Sequence, residues 1–233
     1  MDYAIIAAGE GSRLVQEGIK SPKPLVRLQG ITLIDRLISI FIKNKATSIS
    51  IIVNEQMKEV QEHLKGVKTD IPLNLVIKST PSSMHSFYEL SRYVKSDKLC
   101  LTTVDTIFIE KEFEQYIDTF VKDEQSDGLM AVTDYIDDEK PLYVDVDENL
   151  FIHNFYDTNE YGSKYISGGI YCLRQNAIKV LDKAIANGVS RMRNYQKQLI
   201  KEGLQLKAYP FKKIIDVDHA EDIQKAECFL LTK

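Results

Sequence analysis

The chain has 233 residues, 44% of them hydrophobic, and 30 lysines and arginines against 34 aspartates and glutamates give a formal net charge of −4. This size suits one α/β domain, so a single domain over residues 1–233 is expected, and the slightly acidic balance excludes the basic face that nucleic-acid partners usually require. No apolar run reaches the roughly 18 residues that cross a bilayer and no leader-like segment follows Met1, so a cytoplasmic protein without membrane contact is expected.

The first half of the chain alternates short strands with helices. Tyr3–Ala8 is an apolar strand that runs into a glycine-rich turn, and Thr32–Asn44 carries apolar residues at helical spacing. The later elements of this half are Ser48–Val53, Glu55–Leu64, Leu73–Ile77, Met84–Val94 and Lys98–Val104. This alternation predicts a Rossmann-like three-layer α/β/α sandwich around a mostly parallel central sheet.

The second half begins with a change of pattern. Gly128–Thr133 is a predicted strand, and the turn 147–149 between Leu142–Val146 and Leu150–Phe155 predicts a small inserted β-hairpin beside the main sheet. The acidic residues of this segment are interpreted as a solvated face: Asp134, Asp137, Asp138 and Asp145. The remaining predicted elements are Tyr165–Leu173, Ala177–Ala186, Met192–Glu202, Leu206–Pro210 and Ala220–Leu231.

The loop after the first strand carries the first functional signal. Residues 7–14 read AAGEGSRL, and glycines at the carboxyl end of a strand let backbone amides approach an anion. The loop is not a Walker A loop, which needs GxxxxGK[ST]. It is not a dinucleotide fingerprint either, because Leu14 stands where the third glycine belongs. On its own the loop is equally compatible with a plain tight turn.

A basic cluster follows at residues 20–24, with the sequence KSPKP. Its two prolines restrict the backbone to an extended form and so hold Lys23 at a defined place. Arg13 would add a second cation near the same glycine loop. The alternative is a solvated basic turn without a functional role.

The combination of AAGxGSRL with a following KPL resembles the start of the nucleotidyltransferase superfamily, which includes the sugar-1-phosphate nucleotidyltransferases. The resemblance implies an enzyme that transfers a nucleoside monophosphate from an NTP to a phosphorylated acceptor. It implies that Arg13 holds the departing β,γ-phosphates and that Lys23 lies by the α-phosphate and the acceptor. The nucleotide-binding residues that it implies in the loop are Ala8, Gly9, Gly11 and Ser12.

The segment 79–87 occupies the place where this superfamily contacts the nucleobase. The resemblance therefore implies that Thr80, Ser83 and Ser86 bind the nucleotide. The segment lacks the glutamine and the Gly-Thr-Ala turn of many sugar-nucleotide members. A weaker resemblance to bacterial choline-phosphate cytidylyltransferases favours CTP as the donor, with UTP next. The hydroxyl side chains could instead cap the following helix.

Magnesium is the expected cofactor, because it prefers oxygen ligands and needs only one or two protein carboxylates. Asp105 follows a predicted strand at the same sheet edge as the loop, where the superfamily carries its first metal ligand. The stretch IIDVDHAEDI at 214–223 resembles the superfamily's DVDTPEDL motif. It implies Asp218 as the second ligand, with Asp216 as the alternate. A turn or helix-capping role is the alternative for Asp105 and for Asp218.

An acceptor site is implied by SGGIY at 167–171, which resembles the acceptor-side strand of the same superfamily. Gly168 and Gly169 would let the acceptor lie against the backbone, and Lys164 would contact it. Arg191 and Arg193 are further candidates. A strand bulge and ordinary surface cations are the alternatives.

The expected reaction is Mg-dependent in-line transfer to a sugar 1-phosphate with release of pyrophosphate. The alternative acceptor is phosphocholine or a related small phosphate or phosphonate. A further alternative is a non-catalytic nucleotide-binding regulatory module, although such a module would often have lost one of its four charged site residues. The expected partners are an NTP and a small phosphorylated acceptor, and a homo-oligomer is left open.

Overall fold

The computed structural model describes residues 1–137 and 139–231, so Asp138 of the predicted acidic face lies outside the described residues. The strands are β1 Asp2–Ala7, β2 Arg27–Leu28, β3 Ile31–Thr32, β4 Ser48–Val53, β5 Leu73–Ile77, β6 Lys98–Thr103, β7 Thr106–Ile107, β8 Gly128–Thr133, β9 Tyr143–Val146, β10 Ile152–Tyr156, β11 Tyr165–Arg174, β12 Leu206–Phe211 and β13 Ile215–Asp216. The helices are α1 Ser12–Gln16, α2 Leu33–Lys43, α3 Lys58–Gly66, α4 Ser83–Ser91, α5 Glu110–Lys122, α6 Gln175–Ala186, α7 Met192–Lys201 and α8 Ala220–Leu231.

Nine of the described strands form one central sheet. Its main path runs in the order β10-β9-β11-β6-β1-β4-β5, and β8 joins β11 to β12. The strands β6, β1, β4 and β5 are mutually parallel, whereas β11 runs antiparallel to β6. Because parallel strands end at the same edge, the loops after β1, β4 and β6 meet at one place.

The sheet is buried on both faces, and β1 shows why. Tyr3 and Ile5 of β1 pack into one apolar cluster with Phe41 of α2, whereas Ala4 and Ile6 pack into a second cluster with other helices. Side chains alternate between the faces of a strand, so an all-apolar strand must be covered on both sides. The predicted three-layer α/β/α fold class is confirmed.

Several elements differ from the prediction. Helix α5 was absent from it, although Phe113, Tyr116, Ile117 and Phe120 form a buried stripe at helical spacing. The β9–β10 hairpin forms, but it extends the edge of the central sheet through β11 rather than standing beside it. None of the helices in the described residues combines the length and apolarity that crossing a membrane requires.

Candidate active site

The glycine loop and the basic cluster meet at Gly11. This residue has φ +61°, a left-handed conformation that favours glycine, and a Cβ added to it would lie 3.1 Å from the Cβ of Lys23. A 3-10 helix begins at Lys23, directly after the extended Pro22. The glycine therefore supplies both the backbone turn and the space that bring Lys23 against the loop.

Lys23 is 8% exposed, and its ammonium donates to two carboxylates. One acceptor is Asp105, and the other is Oδ1 of Asp218 at 2.6 Å. Burial alone would lower the pKa of Lys23, but the two negative charges outweigh it and raise the pKa above its usual value. The lysine is therefore held as a cation between residues from the middle and the end of the chain.

Short backbone pairings place Asp218 beside Asp105. Strand β13 pairs antiparallel with β7, so that Asp216 lies opposite Thr106. The N–H of Val217 then donates to the backbone carbonyl of Asp105 at 3.1 Å. The two carboxylates are thus brought together by one short ladder of two residue pairs and the backbone hydrogen bond that follows it.

Glu17 fastens the same C-terminal segment to helix α1. Its carboxylate accepts from the N–H of Ala220 and from Nδ1 of His219, both at 2.6 Å. The hydrogen bond from Ala220 comes first among the causes that lower the pKa of Glu17, and the bond to Glu17 raises the pKa of His219. The carboxylate of Asp222 accepts from the N–H groups of Asp218 and His219 at 3.1 and 2.8 Å, and so holds the turn that precedes α8.

Arg13 faces the C-terminal segment. Its guanidinium donates to Asp218 Oδ2 at 3.1 Å and to Glu139 Oε2 at 3.3 Å, and its side chain is 48% exposed. Asp218 consequently binds both predicted catalytic cations, Lys23 through Oδ1 and Arg13 through Oδ2. Among the described residues its carboxylate is bonded to these cations rather than to the N–H groups of α8, so a helix-capping role is not what occupies it.

Asp216 lines two cavities, and one of them also has Asp105 and Asp218 on its wall. Water reaches the side chain of Asp216, yet protein atoms crowd it in a concave wall, and this desolvation together with repulsion from Asp105 and Asp218 raises its pKa to about 8. The geometry therefore distinguishes the two aspartates of the motif: Asp218 shares the ammonium with Asp105, and Asp216 does not.

One cavity of about 340 Å³ gathers most of the predicted nucleotide-binding residues. Its walls include the predicted residues Ala8, Gly9, Gly11, Thr80, Ser83 and Ser86, together with Lys23 and Asp105. Ser12 is not among the described lining residues, and it begins α1 with an exposed side chain. Residues that the sequence did not single out also line the cavity: Glu10, Asn54, Ser82 and Thr103.

A second cavity of about 380 Å³ adjoins the first, because Ser83, Thr103 and Asp105 line both. Gly169 is on its wall with φ +74°, and a Cβ there would lie 3.1 Å from the hydroxyl oxygen of Thr106. The glycine is thus required by both conformation and space.

The other two predicted acceptor residues lie elsewhere. Gly168 lines a third cavity of about 560 Å³, which shares Asp216 and Asp218 with the second cavity. A Cβ at Gly168 would lie only 2.3 Å from the Cδ1 of Ile214. Lys164 is not among the described residues lining these cavities. Its ammonium lies 3.7 Å from Asp134 and 5.0 Å from the ring centroid of Tyr165.

Two arginines border the second cavity, and they differ in their partners. Arg193 donates to Asp157 at 2.8 Å and to the carbonyl of Lys140 at 2.7 Å. Arg191 precedes α7 with φ +71° and ψ 139°, which is rare for a residue with a side chain, and its N–H donates to Ser82 Oγ at 3.2 Å. Its guanidinium has no ion-pair partner in residues 1–137 and 139–231.

The carboxylates of the site suit a hard divalent cation. The described residues contain no group of three or more His, Cys, Asp or Glu side chains arranged to hold a metal ion. Magnesium does not need one, because it keeps several waters and is usually bound by one or two carboxylates plus substrate phosphates. Asp105 and Asp218 already share one cation, the Lys23 ammonium, so their donor atoms fit such an ion.

The chain is similar to known proteins over most of its length. The chain is 23% identical over 222 residues to the bifunctional protein GlmU of Thermodesulfovibrio yellowstonii, covering 90% of this chain and 47% of that protein. It spans about half the length of the curated relatives it matches.

Solved structures show the same fold at low identity. The inositol-1-phosphate CTP transferase of T. maritima superposes with a TM-score of 0.81 at 18% identity, covering 99% of this chain and 96% of the other. A Bacillus anthracis protein provisionally named a glucose-1-phosphate thymidylyltransferase superposes with a TM-score of 0.85 at 16% identity, covering 100% of this chain and 96% of the other. The sequence profile described as Nucleotidyl transferase matches residues 3–233. The predicted recognition is confirmed: the chain belongs to the nucleotidyl transferase family, a family of enzymes.

Proposed function

We propose that this protein transfers a nucleoside monophosphate from an NTP, with CTP or UTP favoured, to a sugar 1-phosphate and releases pyrophosphate. The observation that carries the proposal is the shared wall of the two adjoining cavities. Asp105 lines both of them, and the ammonium of Lys23 is bonded to it at that boundary. A donor in one cavity and an acceptor in the other would meet beside this cation.

The proposed reaction is an in-line displacement. A phosphate oxygen of the acceptor forms a bond to the α-phosphorus of the NTP, and the bond from that phosphorus to the β-phosphate bridging oxygen breaks, so pyrophosphate leaves. An ionised phosphate is already a nucleophile, and therefore no side chain has to remove a proton. The contribution of the protein is then alignment and charge neutralisation.

Lys23 and Arg13 have separate parts in this scheme. The ammonium of Lys23 would offset charge at the α-phosphate, and Arg13 would leave Asp218 and Glu139 to bind the departing pyrophosphate. Asp105 and Asp218 would hold Mg²⁺, which when bound supplies Lewis-acid stabilisation of phosphate charge. Lys23, once released from the carboxylates, would remain within reach of the same phosphates.

Arg191 supports a phosphorylated acceptor in the second cavity. It is a cation without a described ion-pair partner, on a wall that also contains Gly169. A phosphate monoester could use the cation while the rest of the molecule lies against the glycine backbone. The two structural relatives are named for inositol 1-phosphate and glucose 1-phosphate, which favours a polyol or sugar 1-phosphate here.

The test is pyrophosphate release with Mg²⁺, crossing the four NTPs with sugar 1-phosphates, inositol 1-phosphate, phosphocholine and 2-aminoethylphosphonate. Release with one NTP and a sugar 1-phosphate supports the proposal, and release only with phosphocholine or the phosphonate replaces its acceptor. Nucleotide binding without release from any pair favours the regulatory-module alternative.

Two lysine variants make the test specific to the site. Lys23→Ala should slow pyrophosphate release by about 10²- to 10³-fold. Lys43→Ala removes only an exposed ion pair with Glu110 and should leave the rate of release unchanged. Equal activity of the two variants would contradict the role proposed for Lys23.

A further inference from the structure

Asn54 is a buried polar residue in the wall of the nucleotide cavity. It follows β4 directly, at the edge where β1 gives way to the glycine loop, and only 8% of it is exposed. Its side chain also contacts Ser79, which precedes the Thr80 of the predicted base-contacting segment. A polar side chain this deeply buried requires hydrogen-bond partners, so the partners of each of its atoms matter.

The orientation of the Asn54 amide is fixed by its partners. The Oδ1 atom accepts from the N–H of Gln56 at 2.9 Å and from the hydroxyl of Ser79 at 3.0 Å. A backbone N–H can only donate, so the atom facing Gln56 must be the carbonyl oxygen and not the amide nitrogen. The Nδ2 group therefore lies on the other side of the amide.

The backbone around Asn54 is fixed as well. Gln61, which is 4% exposed, donates through Nε2 to the carbonyl oxygens of Asn54 and Glu55, both at 3.0 Å. The amide is thus held from the backbone side and from the side-chain side. Such a group is preorganised, because little conformational freedom is left to lose when a ligand binds.

The amide nitrogen has two N–H donors and no hydrogen-bond partner among the described residues. Nearby, the hydroxyl oxygens of Thr80 and Ser86 lie 2.6 Å apart and bond to each other. The hydroxyls are therefore partly committed, whereas the amide is a free donor in the cavity wall. A ligand that offers no acceptor to it would leave a buried donor unpaired, which is unfavourable.

We infer that Asn54 reads the nucleobase of the bound nucleotide, with its amide N–H donating to a carbonyl oxygen or ring nitrogen of the base. This inference rests on the proposed function, because it assumes that the cavity holds an NTP. Phosphates have Lys23 and the glycine loop in the same cavity, so the amide next to Ser79 is left for the heterocycle. Asn54 is then a specificity-determining residue.

The test uses Asn54→Asp, which keeps an oxygen for Gln56 and Ser79 and replaces the donating nitrogen by an acceptor. Wild type and variant are titrated with the preferred NTP and with ribose 5-triphosphate, which lacks a base. We expect the variant to lose about 10- to 100-fold more affinity for the NTP than for the abasic triphosphate. The added negative charge acts on both triphosphates alike, so the ratio isolates the base.

Asn74→Asp is the matched control, since Asn74 donates to Ser50 between β5 and β4 and does not line the described wall of the cavity. Asn74→Asp should change neither the affinity for the NTP nor the affinity for ribose 5-triphosphate. A second measurement needs no variant: wild-type protein should bind an NTP analogue with a phenyl ring in place of the base about 10- to 100-fold more weakly than the NTP itself.

The outcomes separate this inference from the proposed function. Equal losses for both triphosphates in Asn54→Asp, or no loss, would overturn the role of Asn54 while leaving NTP binding by the wild type intact. Undiminished wild-type affinity for the phenyl analogue would overturn it too. If the wild type binds no NTP, the proposed function fails and the inference fails with it.

Discussion

Lys23 Nζ lies 2.6 Å from Asp218 Oδ1, although 195 positions separate the two residues in the chain. The same ammonium is bonded to Asp105, so it holds together the two carboxylates that are expected to bind a divalent cation. Two cations cannot share these oxygens without repelling each other. The lysine and the metal should therefore compete for them until a nucleotide draws the lysine to its phosphates.

This competition predicts an effect of Lys23→Ala on metal binding without nucleotide. The variant should bind Mn²⁺, measured by the paramagnetic resonance of the free ion, about tenfold more tightly than the wild type, because its carboxylates are no longer neutralised. Its turnover should fall by about 10²- to 10³-fold, because charge at the α-phosphate is no longer offset. Lys43→Ala is the control, and Mn²⁺ binding weaker than that of the wild type would contradict the competition.

Two glycine substitutions separate backbone strain from contact with Lys23. Gly11 and Gly18 both have positive φ, but an added Cβ meets Lys23 only at Gly11 and nothing within 4 Å at Gly18. Each alanine variant should lose about 1 to 2 kcal/mol of stability in thermal unfolding. Gly11→Ala alone should also weaken NTP binding, because it displaces Lys23. Equal NTP affinity in the two variants would show that Lys23 tolerates the extra methyl group.

Arg191 should lower the stability of the fold while it strengthens acceptor binding. Its φ of +71° is unfavourable for a residue with a side chain, so Arg191→Gly should raise the free energy of unfolding by about 1 kcal/mol. Loss of the guanidinium should raise the KM for the acceptor about 10- to 100-fold and leave the KM for the NTP little changed. Arg191→Ala should raise the KM for the acceptor by the same amount but should not gain stability. An unchanged KM for the acceptor in both variants would show that Arg191 does not belong to the acceptor site.

Asp2 should make stability depend on acidic pH, independently of the active site. Burial would raise the pKa of Asp2, but hydrogen bonds from Ser96, Thr47, Lys95 and Ser48 outweigh it and lower the pKa below its usual value. The ionised form is thus favoured in the folded state, and its stabilisation is present above the unfolded pKa near 3.8 and lost as pH falls through the folded one.

The variant Asp2→Asn should therefore unfold more easily than the wild type at pH 7, by about 1 to 3 kcal/mol. The difference in melting temperature between the wild type and Asp2→Asn should become smaller as the pH falls below about 4. Asp70→Asn, at an exposed position, should show no such difference at either pH. A difference for Asp2→Asn that stays constant down to pH 2 would mean that ionisation of this carboxyl is not what stabilises the fold.

The sequence predicted the fold well where burial is periodic. Strand β4 was predicted with its observed ends, and the helix over Thr32–Asn44 is observed as α2, one residue shorter at each end. Both depend on local apolar patterns that burial against the sheet enforces. Helix α5, which was not predicted, carries the same kind of pattern, so its local sequence does contain the signal for a helix.

The site was less predictable, because its contacts join distant segments. The loop, Lys23 and the C-terminal motif carry local sequence patterns, and the structure brings them together. Asn54 has no motif around it, and its contact with Ser79 spans 25 positions. Arg13 is bonded to Asp218 and Glu139, which lie 205 and 126 positions away in the chain. No local sequence pattern predicts contacts over such separations.

The pairing of Lys23 with Asp218 also bears on how the protein is made. On the ribosome, the glycine loop and Lys23 emerge early, Asp105 follows, and the segment from β13 to Asp218 is synthesised long afterwards. A nascent chain that stops before this segment has one carboxylate for the ammonium instead of two and lacks the β7–β13 pairing. Translation products that stop before this segment should therefore lack even partial activity, because Lys23 would have lost one of its two carboxylate partners.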